Sequence, residues 1–230
     1  MIPDTSNARR SILARIRQAQ AHGDPAKGSP ADLARTRDRD AYLAERPRGF
    51  GPSVGADVLE HFSHQAQRMA STIDRVPTEA DVPQAIARYL VTQQLSLRIA
   101  AWPSFSHINF DIKDADLPAL ELEFRAPVGE DLVGLGGAFA GIAETGTLML
   151  LSSEQTPAST HLLPETHIAL LNVNRVVAHY EDAFAMMRAE HGEPPRAMNL
   201  VSGPSRTADI EQTLVMGAHG PYRVHIILIG

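Results

Sequence analysis

Residues 198–220, MNLVSGPSRTADIEQTLVMGAHG, hold a short apolar run, a turn of small residues and a longer mixed segment. Met198 to Val201 reads as a strand, Ser202-Gly203-Pro204-Ser205 as the turn, and Thr207 to Met216 as a helix capped by Thr207. A strand feeding a helix through such a turn is the building unit of α/β proteins. The turn would also gather backbone N–H groups, the Ser202 and Ser205 hydroxyls and the Arg206 guanidinium. That set suits an anion at a helix N-terminus, where unpaired donors carry partial positive charge. Asp209 and Glu211 suit the same dipole without a ligand, so the segment equally reads as a well-capped helix.

The alternation continues outward. Downstream, Val224 to Ile229 is an apolar strand, and His219 stands in the loop before it. Upstream, His179 to Glu190 predicts a helix and His167 to Val173 a strand. Leu132 to Leu151 predicts strands around a turn, and Leu97 to Ala101 a short strand followed by the single tryptophan, Trp102. Thr78 to Gln94 predicts a helix opened by a T-x-x-D capping motif, Thr72 to Val76 a strand and Val58 to Ser71 a helix. Together these imply a layered α/β domain with a largely parallel sheet over residues 56–230. Ligands of such sheets bind beyond the carboxyl ends of the strands, where the Ser202 turn is expected to lie.

Residues 1–55 differ in character. Residues 6–21 and Ala31 to Glu45 read as polar helices, joined to the body by the proline- and glycine-rich stretch Arg46 to Gly55. The first fifty residues carry 10 Lys and Arg against 6 Asp and Glu, a balance of +4, while the remainder carries −10. An acidic body disfavours nucleic acid, whose phosphates need clustered cations. The basic arm could dock on an acidic partner or on its own chain. No run approaches the roughly 18 to 20 apolar residues of a membrane span, and the N-terminus lacks a signal-peptide core, so a cytoplasmic protein is expected. The chain has no cysteine, which excludes disulfides, thiol catalysis and thiolate-held iron–sulfur clusters within it.

Gly134 to Thr147, GLGGAFAGIAETGT, is the second motif. Gly136 and Gly137 permit close approach by a ligand or a neighbouring strand, but the spacing fails the dinucleotide fingerprint. Glu144-Thr145-Gly146 predicts a tight turn displaying a carboxylate, either a general base or nucleophile or simply a polar turn residue. The histidines lack metal-site spacing; His61 and His64 could share a helix face, and His161 and His167 flank Leu162-Leu163-Pro164.

Three stretches, Gly141 to Leu148 (GIAETGTL), His161 to Ile168 (HLLPETHI) and Ser202 to Gly220, resemble the lactate utilization protein C family, also called the LUD domain, and the resemblance extends over residues 58–230. It implies a fold of the type shared by sugar-phosphate isomerases and coenzyme A transferases. It also implies a role in a three-component system oxidising L-lactate to pyruvate, with iron–sulfur clusters in two cysteine-rich partners. Candidate ligand-binding residues are Gly136, Gly137, Thr145, Gly146, Ser202, Gly203, Ser205, Arg206, Thr207, Asp209 and His219, with Glu144 as the candidate catalytic residue. Oxidation needs an electron acceptor, and no side chain here is one. The first expectation is therefore a non-redox component that binds an anionic small molecule or a partner. The alternatives are a stand-alone transferase or isomerase using Glu144, and a regulatory module whose basic arm touches nucleic acid.

Overall fold

The computed structural model describes residues 6–23, 30–45, 48–210, 213–217 and 219–230. The chain divides into two units, Met1–Phe50 and Gly51–Gly230. The first unit holds two helices, α1 (Ser6–Gly23) and α2 (Pro30–Glu45). Both have low apolar content, and Ile12, Ile16, Leu33 and Leu43 are exposed.

The second unit runs α3 (Val58–Arg68), β1 (Thr72–Val76), α4 (Val82–Thr92), β2 (Arg98–Ala101), β3 (Glu121–Phe124), β4 (Val133–Gly137), β5 (Ala140–Ile142), β6 (Thr147–Leu151), β7 (Thr166–Asn172), β8 (Val176–Val177), α5 (Tyr180–His191), β9 (Met198–Val201), β10 (Arg206–Ile210), β11 (Thr213–Met216) and β12 (Arg223–Ile229). Six strands form one sheet in the order β1-β12-β7-β4-β2-β3, and every pairing in it is parallel. A second sheet, β8-β5-β6-β9, mixes one parallel with two antiparallel pairings. The fold is thus α/β. No helix among the described residues is long and apolar enough to cross a membrane.

A parallel sheet covered on both faces needs strands that are apolar throughout. β7 (THIALLN) and β12 (RVHIILI) meet that demand over residues 168–171 and 226–229, and each is buried along nearly its whole length, with His167 and His225 buried near their amino ends. Alternate residues then serve opposite layers. Ile168, Leu170 and Ile227 pack with Ile86 and Leu90 of α4. Ala169, Leu171, Ile226 and Leu228 pack with Phe62 and Ala66 of α3 and with Leu148 and Leu150 of β6. A third cluster joins Ile142 and Met149 of the small sheet to Ala183 and Met187 of α5. Each fully buried Ile or Leu contributes about 1.5–3 kcal/mol to folding.

Local signals set the helix ends. Asp57 caps α3 by accepting the Glu60 N–H at 2.9 Å. At the other end Ser71 N–H bonds Ala66 C=O and Ala70 N–H bonds Gln67 C=O, a Schellman closure with Ala70 in the left-handed region at φ 66°. At the start of α4 the expected T-x-x-D motif is present, with Thr78 N–H and Oγ1 both donating to Asp81 Oδ2. It opens a single 3₁₀ turn, Glu79–Asp81, before the α-helix proper.

Two expectations are corrected. Thr207 to Met216 is not a helix: Arg206–Ile210 and Thr213–Met216 are strands paired antiparallel, with a register shift between Thr207 and Ile210. The β-branched residues Thr207, Ile210, Thr213 and Val215 favour pleated backbone, and pairing outweighs the weak helical spacing of Ile210 and Leu214. Nor does the Ser202 turn follow a strand of the parallel sheet, because β9 pairs antiparallel with β6 in the small sheet.

Candidate functional site

The β5–β6 hairpin closes through Ala143–Gly146. Ala143 N–H and Glu144 N–H bond the carbonyls of Val177 and Ala178, stitching the turn to the segment that enters α5. Gly146 has φ +66°, and a Cβ there would lie 2.2 Å from the Ala66 nitrogen of α3, so the turn can seat against that helix only with glycine.

This placement delivers the Glu144 carboxylate to the N-terminus of α5. Its Oε1 accepts the Tyr180 N–H at 3.1 Å, and its Oε2 lies 3.0 Å from His179 Nδ1. The Glu144 side chain is 10% exposed and that of His179 26%. The helix start carries unpaired N–H groups and partial positive charge, and Oε1 takes one of those N–H groups. An ionised carboxylate only accepts, so in this contact Nδ1 is the donor. The His179 N–H in turn donates to Asp182 Oδ2 at 3.1 Å, fixing the residue at the helix cap. Gly51 lies over the ring: a Cβ there would meet His179 Cε1 and Nδ1 at 3.3 Å.

A cluster of hydroxyls adjoins this pair. Thr147 Oγ1, fully buried, lies 2.6 Å from Thr145 Oγ1, 3.0 Å from the Tyr180 hydroxyl and 2.6 Å from Ser202 Oγ. Thr145 Oγ1 also donates to the Tyr180 hydroxyl at 3.1 Å. Each hydroxyl donates and accepts, so the four can pass a proton among themselves. The chemistry on offer is proton transfer by an imidazole held in one tautomer by a carboxylate. Both Glu144 oxygens already face protein partners, a geometry for orienting a base rather than for attacking an acyl group.

Of the residues expected from sequence, Glu144, Thr145, Gly146 and Ser202 come together here. Gly203 and Arg206 lie beside them against the end of α3, in structural roles. Gly203 has φ +78°, and a Cβ there would fall 2.0 Å from the Met69 carbonyl oxygen. Arg206 donates to that same carbonyl at 2.8 Å, a cation closing the negative end of a helix. Arg206 therefore meets a helix C-terminus, not an anion at a helix N-terminus. Ser205 belongs to another loop: its N–H bonds Pro221 C=O, its carbonyl accepts Gly217 N–H, and its Oγ accepts the exposed His219 N–H. Thr207 and Asp209 stand on β10, so neither caps a helix, and Glu211 lies outside the described residues.

Gly136 and Gly137 go elsewhere. β5 starts and β6 ends at the open end of the hairpin, roughly 10–13 Å along the strands from the Glu144 turn. There Gly137 borders a cavity of about 590 Å³ at the carboxyl ends of the parallel strands. Gly136 seats Trp102 and His167, each within 3.2 Å of where its Cβ would be.

His179, Tyr180 and Thr147 carry no role in the sequence reading. The signal for His179 is its place at the start of α5 three residues before Asp182. Its partner lies 35 residues away, which no local pattern reveals.

Residues 59–229 match the family model of the LUD domain. An uncharacterized protein of Neisseria meningitidis serogroup B is 41% identical over 217 residues, covering 86% of this chain and 91% of that one. Lactate utilization protein C of an Exiguobacterium species is 32% identical over 137 residues, covering 57% of each chain. Its counterpart in Bacillus licheniformis is 38% identical over 118 residues, covering 46% of this chain and 49% of that one. This chain thus spans about half the length of the lactate utilization relatives it matches. A crystal structure of a DUF162 family protein from Deinococcus radiodurans shares the fold, with a TM-score of 0.54 at 21% identity over 78% of this chain and all of that one. The chain belongs to the LUD domain family, of the lactate utilization protein C type.

Proposed function

We propose that this chain is a non-redox component of a cytoplasmic L-lactate oxidation system and handles the hydroxy acid at the Glu144–His179 pair. Converting lactate to pyruvate removes two electrons and two protons. His179 Nε2 takes the hydroxyl proton, and the Cα–H bond breaks with its electron pair left for an acceptor in the partner proteins and its proton released to water. The electrons would be taken by iron–sulfur clusters in partner proteins, since no side chain here is an electron acceptor. The observation that carries this reading is the pair itself: a carboxylate bound at a helix N-terminus and holding one imidazole, on the GIAETGTL segment of a lactate utilization family.

The test is lactate-dependent acceptor reduction by the two cysteine-rich partners, with and without this chain. Activity should require the chain. It should fall about 10²–10⁴-fold in His179→Gln, the range of a lost general base. Equal activity without the chain sinks the subunit reading. Full activity with His179→Gln keeps the subunit role but removes the base.

A further inference from the structure

The cavity at the carboxyl ends of the parallel sheet has no part in the reading above. Its position is informative. The chain leaves β2 toward one edge of the sheet, to β3, and leaves β4 toward the other, to β7. Adjacent strands that diverge in this way open a crevice beyond their carboxyl ends, where α/β proteins bind ligands. Trp102 directly follows β2, and Gly137 ends β4. Both border the cavity.

Its volume, about 590 Å³, lies in the range that encloses a drug-sized ligand and is far larger than a three-carbon acid fills. Trp102, Phe105, Phe139, Leu170 and Ile229 supply most of an apolar wall. The glycine at 137 serves these rings, since a Cβ there would press within 3.1 Å of both Phe105 and Trp102. Among the described lining residues the carboxylates are Glu79 and Glu193, both exposed; there is no lysine or arginine, and His191 lines the wall with its ring 5.4 Å from that of Phe139. Arg175 stacks on Phe139 at 4.2 Å, but its charge is committed to a bidentate pair with Glu190. A polar edge remains. Ser152 Oγ accepts Ala197 N–H at 3.0 Å and keeps its own proton to donate.

We infer that this cavity binds an uncharged, flat ring-bearing small molecule with a hydrogen-bond acceptor on one edge. The aromatic wall takes the ring faces, Ser152 takes the acceptor, and the two rim carboxylates turn anions away. This site is separate from the Glu144–His179 pair, and the inference stands or falls independently of it.

Trp102 is the only tryptophan of the chain, so its emission reports this cavity alone. The full chain is titrated with 2-acetylnaphthalene and with its anionic isostere 2-naphthoate. The expected result is saturable quenching by the ketone and affinity at least tenfold weaker for the carboxylate. The exposed double variant Glu79→Lys/Glu193→Lys should narrow that ratio to less than threefold. Ala138→Phe, which fills the cavity, should abolish saturation while the rim variant retains it. Excess L-lactate should leave the ketone curve unmoved. Linear, unsaturable quenching by both compounds, equal affinity for the two, or displacement by lactate would each overturn the inference.

Discussion

Three buried histidines should make this protein strongly acid-labile. His161, His167 and His225 are at most 2% exposed. Burial holds His161 and His225 down at about 4 and His167 at about 3, against an ordinary value near 6.5. The causes differ in detail. The neighbouring His161 ring, 5.8 Å away, lowers His167 further. Asp74, 3.9 Å from His225 Nε2, partly offsets burial there. His225 also stacks on Tyr89 with ring centres 3.7 Å apart and accepts or donates to Thr72 Oγ1 through Nδ1. In each case the folded protein keeps the imidazole neutral, and the unfolded chain protonates it below about pH 6.5. Between 6.5 and the depressed folded value the unfolded state binds the extra proton. Stability is therefore full above that range and falls as the pH drops through it. From pH 7 to pH 5 each histidine should remove roughly 2 kcal/mol, and the three together roughly 5–6 kcal/mol. Against a total of about 5–15 kcal/mol for a domain, this is close to unfolding. Urea unfolding followed by Trp102 emission at half-unit pH steps measures it, and the midpoint should move by about 2 M across that interval. His225→Phe keeps a ring against Tyr89 and should remove about a third of the pH slope. A stability change below 1 kcal/mol between pH 7 and pH 5, or an unchanged slope in His225→Phe, would refute the reasoning.

Three further outcomes concern the end of α3, read by thermal or urea unfolding. Ala70→Gly should stabilise by about 0.5–1 kcal/mol, because alanine at φ 66° is strained where glycine is not; a loss of stability would show that the Schellman closure is misassigned. Gly203→Ala should cost about 3 kcal/mol, since the added Cβ falls 2.0 Å from the Met69 carbonyl oxygen at φ +78°. Arg206→Ala should cost only about 0.5–1 kcal/mol through the lost bond to that carbonyl, and leave lactate-dependent activity in the partner assay unchanged. A large activity loss with stability kept would return Arg206 to the role of a ligand residue.

The parallel sheet is legible in the sequence where burial on both faces forces an apolar run. His167 to Val173 and Val224 to Ile229 are such runs, and they become the paired strands β7 and β12. Short strands escape notice when only one face or one edge is covered. Glu121–Phe124 is an edge strand reading ELEF, and Val176–Val177 is two residues long. Thr207 to Met216 shows the opposite failure. Ile210 and Leu214 imitate helical spacing and Thr207 imitates a cap, so a local reading prefers a helix. Cross-strand pairing of Thr207 with Val215 and of Ile210 with Thr213 overrides it.

The sequence by itself determined the layered α/β class, the glycine-bearing turn that displays Glu144, and a chain that cannot hold an iron–sulfur cluster by thiolates. Those properties follow from composition, periodicity and residue chemistry, which are local. The tertiary structure alone decided what Glu144 faces. The hydrogen bonds to His179 and Tyr180 span 35 and 36 residues and exist because β5 pairs with β8, which places the start of α5 beside the hairpin turn. It likewise moved Arg206 onto the end of α3, and sent Gly137 to a different site from Glu144. One hairpin has two ends, and strand pairing, not sequence proximity, sets what each end meets.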